Sequence, residues 1–281
     1  MTAPRPYQVD PNDPRAPTLA VWEAMSPTER ARVVDQLPSE VELGPPEGDP
    51  HRVPKQRGLE ALDAFFRRMG RNVYLSSELP VYYPGERMFA PDLIAVVDVE
   101  PHERMRWVVA QEKRGLDLAL EVTFEGSRNK DLVENVARFA ALGIPEYFVF
   151  DRRARRLHGW RLEPGRRDYQ PMLPQEGRWE SRVLGLELAV EGDRFRFYTG
   201  TAVVPEAAEL VQRANLVAEQ LQQRMSELEA RLDSETAQRE RAEADKERAE
   251  ADKERAEADK ERAEARVLEL EAELERLRSG R

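Results

Sequence analysis

The chain has 281 residues, 40% hydrophobic and 35% charged, enough apolar material for one sizeable core and an extension. It has no cysteine, which excludes disulfides and thiolate zinc sites and points to a reducing, cytoplasmic setting, and no run approaches the ~18 apolar residues of a membrane span. The net charge of −10 is concentrated in the tail: residues 205–281 hold 22 acidic and 15 basic side chains, a net of −7, leaving −3 for residues 1–204. That front part lacks the basic excess of a constitutive nucleic-acid binder.

Residues 1–50 are expected to form an N-terminal tail with a short helix. Residues 1–17 are rich in proline and polar groups and predict a disordered lead-in. Ser26-Pro27-Thr28-Glu29 combines an N-cap serine, a proline at the first helical position and a capping-box glutamate, so a helix runs to about Leu37. Gly44 to Pro50 reads as a linker. A globular domain over residues 51–204 follows. Its first helix spans Pro54–Met69, with Leu59, Leu62, Phe65 and Phe66 at helical spacing and Gly70 as the stop. Strands are predicted at 73–75, 79–83, 93–99, 116–123, 147–151 and 156–162, with one or two more between 177 and 198. A helix over Asn129–Leu142 lies between the fourth and fifth strands and closes at Gly143. The order of helix, antiparallel meander, helix and strand predicts an α/β domain with a central mixed sheet flanked by helices.

From 205 to 281 the composition changes. Glu-Arg-Ala-Glu-Ala-Asp-Lys repeats three times from Glu240 to Lys260, and one heptad frame holds from Ala214 to Leu277. Ala214 and Ala218 open its core positions, Leu221, Met225, Leu228 and Leu232 follow, and Val267, Leu270, Leu274 and Leu277 are the last. The middle pairs lysine with alanine. An unbroken period of seven implies a left-handed coiled coil, and a homodimer through this tail is the expected assembly. Charge pairs such as Glu243/Lys246 would brace the lysine-alanine centre as a solvated single helix.

Two carboxylates stand out inside apolar strand-like runs, Asp92 in Pro91–Val97 and Glu121 in Leu118–Thr123. Desolvating a lone carboxylate costs several kcal/mol unless something compensates it. Strand alternation puts Asp92, Ile94, Val96 and Asp98 on one side, and Asp117, Ala119, Glu121 and Thr123 on one face of the other strand. Adjacent strands would aim both carboxylates into one cleft, where oxygen ligands completed by water suit magnesium. The competing reading makes Asp92 a residue that starts a strand after a turn proline, and Glu121 the partner of an arginine.

Ala90-Pro91-Asp92-Leu-Ile-Ala-Val, Leu120-Glu121-Val122, Arg128, Asp131 and Gly143-Ile-Pro-Glu-Tyr147-Phe-Val-Phe-Asp151 resemble the PD-(D/E)XK nuclease superfamily, and more narrowly its Uma-two-type restriction endonucleases. The resemblance covers roughly residues 20–200. It implies a restriction-endonuclease-like fold that hydrolyses DNA phosphodiesters, with Asp92 and Glu121 binding Mg²⁺ (or Mn²⁺). A lysine normally completes such a site. Here Thr123 stands two residues after Glu121, and Asn135 occupies the position after Glu134 where relatives carry lysine. Lys130 is the nearest substitute and the expected third catalytic residue, although α-helical steps of ~100° set it ~140° around the helix from Asn135.

His51, Arg128 and Asn135 are candidate substrate contacts, and Gln56 and Glu60 are candidates to face the site from the first domain helix. Arg152, Arg153, Arg155 and Arg156 make a local positive patch at a hairpin turn. Tyr147 reads as a core aromatic. His51, His102 and His158 are too scattered for a zinc site. These readings give a metal-dependent DNA endonuclease that dimerises through its tail. The alternatives are a nuclease fold kept as a scaffold or DNA-binding module, with the coiled coil recruiting partners, and a coiled-coil adaptor capped by a globular part.

Overall fold

Ser26, Pro27 and Glu29 do locally what their spacing requires. In a computed structural model describing residues 6–39, 48–124 and 128–280, Ser26 Oγ accepts from the Glu29 N–H, and Glu29 Oε2 accepts from the Ser26 N–H at 2.8 Å. This box opens α2 (Pro27–Gln36), preceded by α1 (Leu19–Ala24). Of the expected disordered lead-in, residues 1–5 lie outside the described residues, and residues 6–17 are ordered. Ala16 is buried, Arg15 and Ala16 bridge to Arg87 and Pro84, and the Tyr7 hydroxyl donates to the Arg15 carbonyl. The segment turns at residues 11–13 and pairs with a distant turn only through isolated bridges, so it shows no helix or strand periodicity. Most of the expected 44–50 linker lies outside the described residues.

Helix α3 (Asp49–Met69) starts five residues before Pro54, which sits inside it. Pro50 is accommodated in the first turn, where its missing N–H costs nothing, whereas Pro54 forfeits one helical hydrogen bond. The earlier start makes His51 helical and puts it one turn from Lys55. The helix ends at Gly70, φ +64°, where the Gly70 and Arg71 N–H groups close on Arg67 and Phe66.

The strands are β1 (Val73–Ser76), β2 (Val81–Tyr82), β3 (Leu93–Val97), β4 (Trp107–Val108), β5 (Leu118–Thr123), β6 (Glu146–Asp151), β7 (Arg156–Arg161), β8 (Gln170–Pro171), β9 (Arg178–Ser181), β10 (Leu186–Glu191), β11 (Arg194–Thr199) and β12 (Ala202–Val203). Short helix α4 (Val109–Glu112) precedes β5. A π-helical turn (Lys130–Glu134) running into α5 (Asn135–Ala141) carries the chain from β5 to β6. The central sheet has the order β1-β3-β5-β6-β7-β8, with β5 and β6 parallel and the other neighbours antiparallel. The parallel pair follows from the helical crossover between them. β9–β12 form a separate antiparallel sheet, richer than the one or two strands expected. β2 leaves the meander to pair in parallel with β4.

Each face of the central sheet is covered. On one, Leu93, Ala95, Leu118, Leu120 and Val122 pack with Leu62, Phe65 and Phe66 of α3 and Phe195 and Phe197 of β11. On the other, Ile94, Val96, Ala119, Tyr147 and Val149 pack with Phe139 and Ala140 of α5 and with Val81 and Trp107. The fold is mixed α/β around a central mixed sheet.

The last element is α6 (Ala207–Ser279), 73 residues and, at 1.5 Å per residue, ~110 Å long. Its first turn is tied to β11: buried Arg196 pairs with Glu209 at 2.8 Å and Glu206 at 3.6 Å. The chain divides into two compact units, Met1–Val211 and Gln212–Arg281. In the second, Leu221, Met225, Leu228, Leu232, Val267, Leu270 and Leu274 are all exposed, while the Leu277 side chain lies outside the described residues. Among the described residues, no helix is long and apolar enough to cross a membrane.

Candidate functional site

Asp92 stands one residue before β3, and the β3–β5 register places it opposite Glu121. The two side chains replace ladder hydrogen bonds there. Asp92 Oδ2 accepts from the Val122 N–H at 2.7 Å, and Glu121 Oε2 accepts from the Asp92 N–H at 3.1 Å. Both are buried, at 6% and 7% exposure. A strand begun by proline leaves the Asp92 backbone free of regular pairing, which lets its carboxylate cap the neighbouring strand.

The environments separate the two acids. Burial pushes the Asp92 carboxyl up, but the His51 hydrogen bond and charge, the Val122 N–H and Lys55 override it and hold Asp92 below the ordinary range. His51 Nε2 donates to Asp92 Oδ2 at 3.1 Å, and Lys55 Nζ lies 3.6 Å from Asp92 Oδ1. Burial pushes Glu121 well up, and the negative charges of Asp92 and Asp131 push it further; Lys130 and the Asp92 N–H act in the opposite sense. On facing strands, one carboxyl is thus held toward its ionised form and the other pushed toward its protonated form.

Asp131, on the π-helical turn, adds a third carboxyl whose charge acts on Glu121. It is buried, accepts from Asn135 Nδ2 at 3.3 Å, and its carbonyl accepts from the Tyr147 hydroxyl at 2.9 Å. Burial pushes its carboxyl up to about 6; Lys130 acts against the rise, Asp92 adds to it and His51 opposes it. Tyr147 is a buried core aromatic stacked on Trp160, as expected.

The structure distributes the other candidates unevenly. His51 is in the site, touching Asp92. Asn135 is buried beside Asp131. Lys130 is exposed on the π turn, its charge felt by Glu121 and Asp131. The Asn135 N–H bonds the Lys130 carbonyl five residues back, so the 140° separation taken from α-helical steps does not hold for this turn. Arg128 pairs with buried Asp151 at 2.8 Å, beyond the end of β5. Gln56 and Glu60 bond each other on the exposed face of α3, away from the site. Arg152 of the arginine cluster is held by Asp193 at 2.7 Å and by the Asp49 carbonyl, while Arg153, Arg155 and Arg156 are exposed.

Lys55 is the site residue that pattern reading missed. It is 5% exposed and lies on the α3 stripe that buries Gly58, Leu62 and Phe66, one turn on from His51. A lysine on a core stripe was the available signal, hidden by the assumption that Pro54 begins the helix.

The Uma2 family model, described as "Putative restriction endonuclease", matches residues 23–191, more than half of the chain. The chain belongs to the Uma2 family. The Uma2 match contains His51, Lys55, Asp92, Glu121, Lys130 and Asn135 and ends before β11, so the repeats of α6 lie outside it. No curated protein matches the chain. Among solved structures it is similar to a putative nuclease belonging to DUF820 from Anabaena variabilis, with 12% identity and a TM-score of 0.39, covering 50% of this chain and 76% of that one. Membership of Uma2 makes the front unit nuclease-like.

Among the described residues, no group of three or more His, Asp or Glu side chains is arranged to enclose a metal. The pair Asp92 and Glu121 nevertheless fits a Mg²⁺ of the kind that uses one or two carboxylates and takes its other ligands from water and substrate phosphate. Such an ion would offset the burial and the repulsion that push the Glu121 carboxyl up, and so favour its ionised form.

Proposed function

We propose that the protein is a metal-dependent endonuclease that hydrolyses DNA phosphodiester bonds at Asp92 and Glu121. The observation that carries the reading is the pair itself: two buried carboxylates on facing strands, electrostatically opposed, inside the Uma2 match. Asp92 and Glu121 would hold Mg²⁺, with Mn²⁺ as a substitute, and the ion would supply charge neutralisation at the scissile phosphate and a more acidic attacking water. His51 keeps Asp92 oriented and ionised. Lys130, at the exposed rim, adds positive potential toward Glu121. Arg128, paired with Asp151 through Nη2, keeps donors free to meet a phosphate, and Asn135 holds Asp131 in place. The cysteine-free chain suits a cytoplasmic setting.

The test is nicking of supercoiled plasmid in Mg²⁺ or Mn²⁺. Wild type is expected to nick, and Asp92→Asn and Glu121→Gln to lose at least ~10²-fold in rate. Asn135 in place of the family lysine favours a second reading, a nuclease fold that binds DNA or recruits partners without cutting. Absence of nicking in both metals by a folded wild type would select it.

A further inference from the structure

Burying an ammonium is costly unless the site uses it or pairs it. Lys55 is such an ammonium, and it is directed at Asp92 from the first turns of α3. Asp92 Oδ2 is occupied by His51 and the Val122 N–H, and Oδ1 faces Lys55 Nζ at 3.6 Å. On its outer side Lys55 Nζ donates to Glu78 Oε1. Glu78 is half exposed and has a left-handed backbone, φ +55°, an uncommon state for a non-glycine residue. That backbone is fastened to the motif loop. The Glu78 N–H donates to the Pro91 carbonyl at 3.0 Å, and the Ser77 hydroxyl donates to the Asp92 carbonyl at 2.7 Å. One strained turn thus fixes both the Asp92 backbone and the counter-ion of Lys55.

Resting on the nuclease reading, we propose that Lys55 is the cation of this site in place of the lysine absent at Thr123 and Asn135, and that Glu78 is a positioning counter-ion that yields Lys55 to a DNA phosphate. Helix α3 delivers from its first turns the charge that the strand and α5 positions lack. Lys55 reaches the cleft with its stem packed in the core, so its ammonium is confined, whereas the exposed Lys130 is not. A positioned cation of this kind acts where charge develops on the phosphate.

Full-length wild type, Lys55→Met, Glu78→Gln and Lys130→Met decide the matter through three readouts: plasmid nicking, Mn²⁺ binding by calorimetry, and binding of a fluorescein-labelled duplex in Ca²⁺ across a salt series. Lys55→Met is expected to lose ~10²-fold or more in nicking and ~10-fold in duplex affinity, with a log–log salt slope shallower by about one, while Mn²⁺ affinity is unchanged or tighter. Lys130→Met is expected to change nicking by less than ~10-fold. Glu78→Gln should bind duplex several-fold more tightly. Wild-type nicking and salt slope in Lys55→Met would overturn the proposal and make Lys55 an internal counter-ion for Asp92; so would loss of Mn²⁺ binding in that variant. If wild type binds duplex but nicks in neither metal, the nuclease reading fails, and the salt slope still decides Lys55. If Lys55→Met shows no cooperative thermal transition, Glu78→Gln decides instead, and unchanged duplex affinity there overturns the proposal. A wild type that binds no duplex overturns both.

Discussion

Asp131 shows how one buried side chain couples the site to stability. Its carboxyl is raised from 3.8 to about 6, chiefly by burial. A raised carboxyl favours the protonated form in the folded state, so ionisation works against folding. The penalty is absent below about pH 4, grows between about pH 4 and 6, and is complete above that window. Asp131→Asn removes the titration and keeps an acceptor for Asn135. It is therefore expected to raise the melting temperature by at least ~2 °C at pH 7.5 and by clearly less at pH 4.5, near the foot of that window. Thermal denaturation followed by circular dichroism across this range checks it; a difference that does not vary with pH rules the mechanism out.

At the scale of elements, α3 does the most positioning. Its face toward β11 is set by Gly58, where an added Cβ would come within 2.7 Å of the buried Phe195 ring. Alanine is the better helix former by about 1 kcal/mol, so propensity alone predicts a gain in stability. The ring is enclosed by Phe150 and Phe197, at centroid distances of 5.5 and 5.6 Å, and has little room to move. Overpacking of this kind costs ~1–3 kcal/mol. Gly58→Ala is accordingly expected to lower stability in urea denaturation and, by tilting the helix that carries His51 and Lys55, to lower any nicking rate as well. A stabilised variant would mean that α3 relaxes away from β11 freely.

At the scale of the whole molecule, α6 is the element whose exposed side chains call for a partner. An isolated helix gains little without tertiary packing, and α6 leaves regularly spaced Leu, Met and Val side chains exposed at both ends. We propose a second copy of the same helix as the partner for its heptads, an assembly that would let two nuclease-like units address two strands. Its central repeats bury little, and ion pairs on the later part, such as Lys260–Glu264 and Arg266–Glu269, are exposed and contribute only tenths of a kcal/mol each. Sedimentation is expected to show a dimer for the full chain and a monomer for residues 1–211. That end point retains Glu206 and Glu209, the partners of buried Arg196, which a cut at 204 would remove. Monomers in both cases would leave α6 as a helix for a different partner.

Much of this was readable along the chain, because the signals were local. The α2 capping box, the alternation that put Asp92 and Glu121 on one face, and the heptads of α6 are patterns of period two, three and a half or four. The pairing of carboxylates on facing strands was inferable, since the buried charges had to be compensated somewhere. Other features depended on contacts distant in sequence. The N-terminal segment is ordered by the 84–87 turn, Gln56 and Glu60 turn outward once α3 packs on β11, and a π turn replaces regular helix after Lys130. The sequence by itself determined the carboxylate pair, the helical tail and the missing lysine, each a matter of residue identity at a fixed spacing. Only the tertiary structure decided that Lys55 stands beside Asp92, because the burial that gives a lysine its weight is created by the packing of elements far apart in the chain.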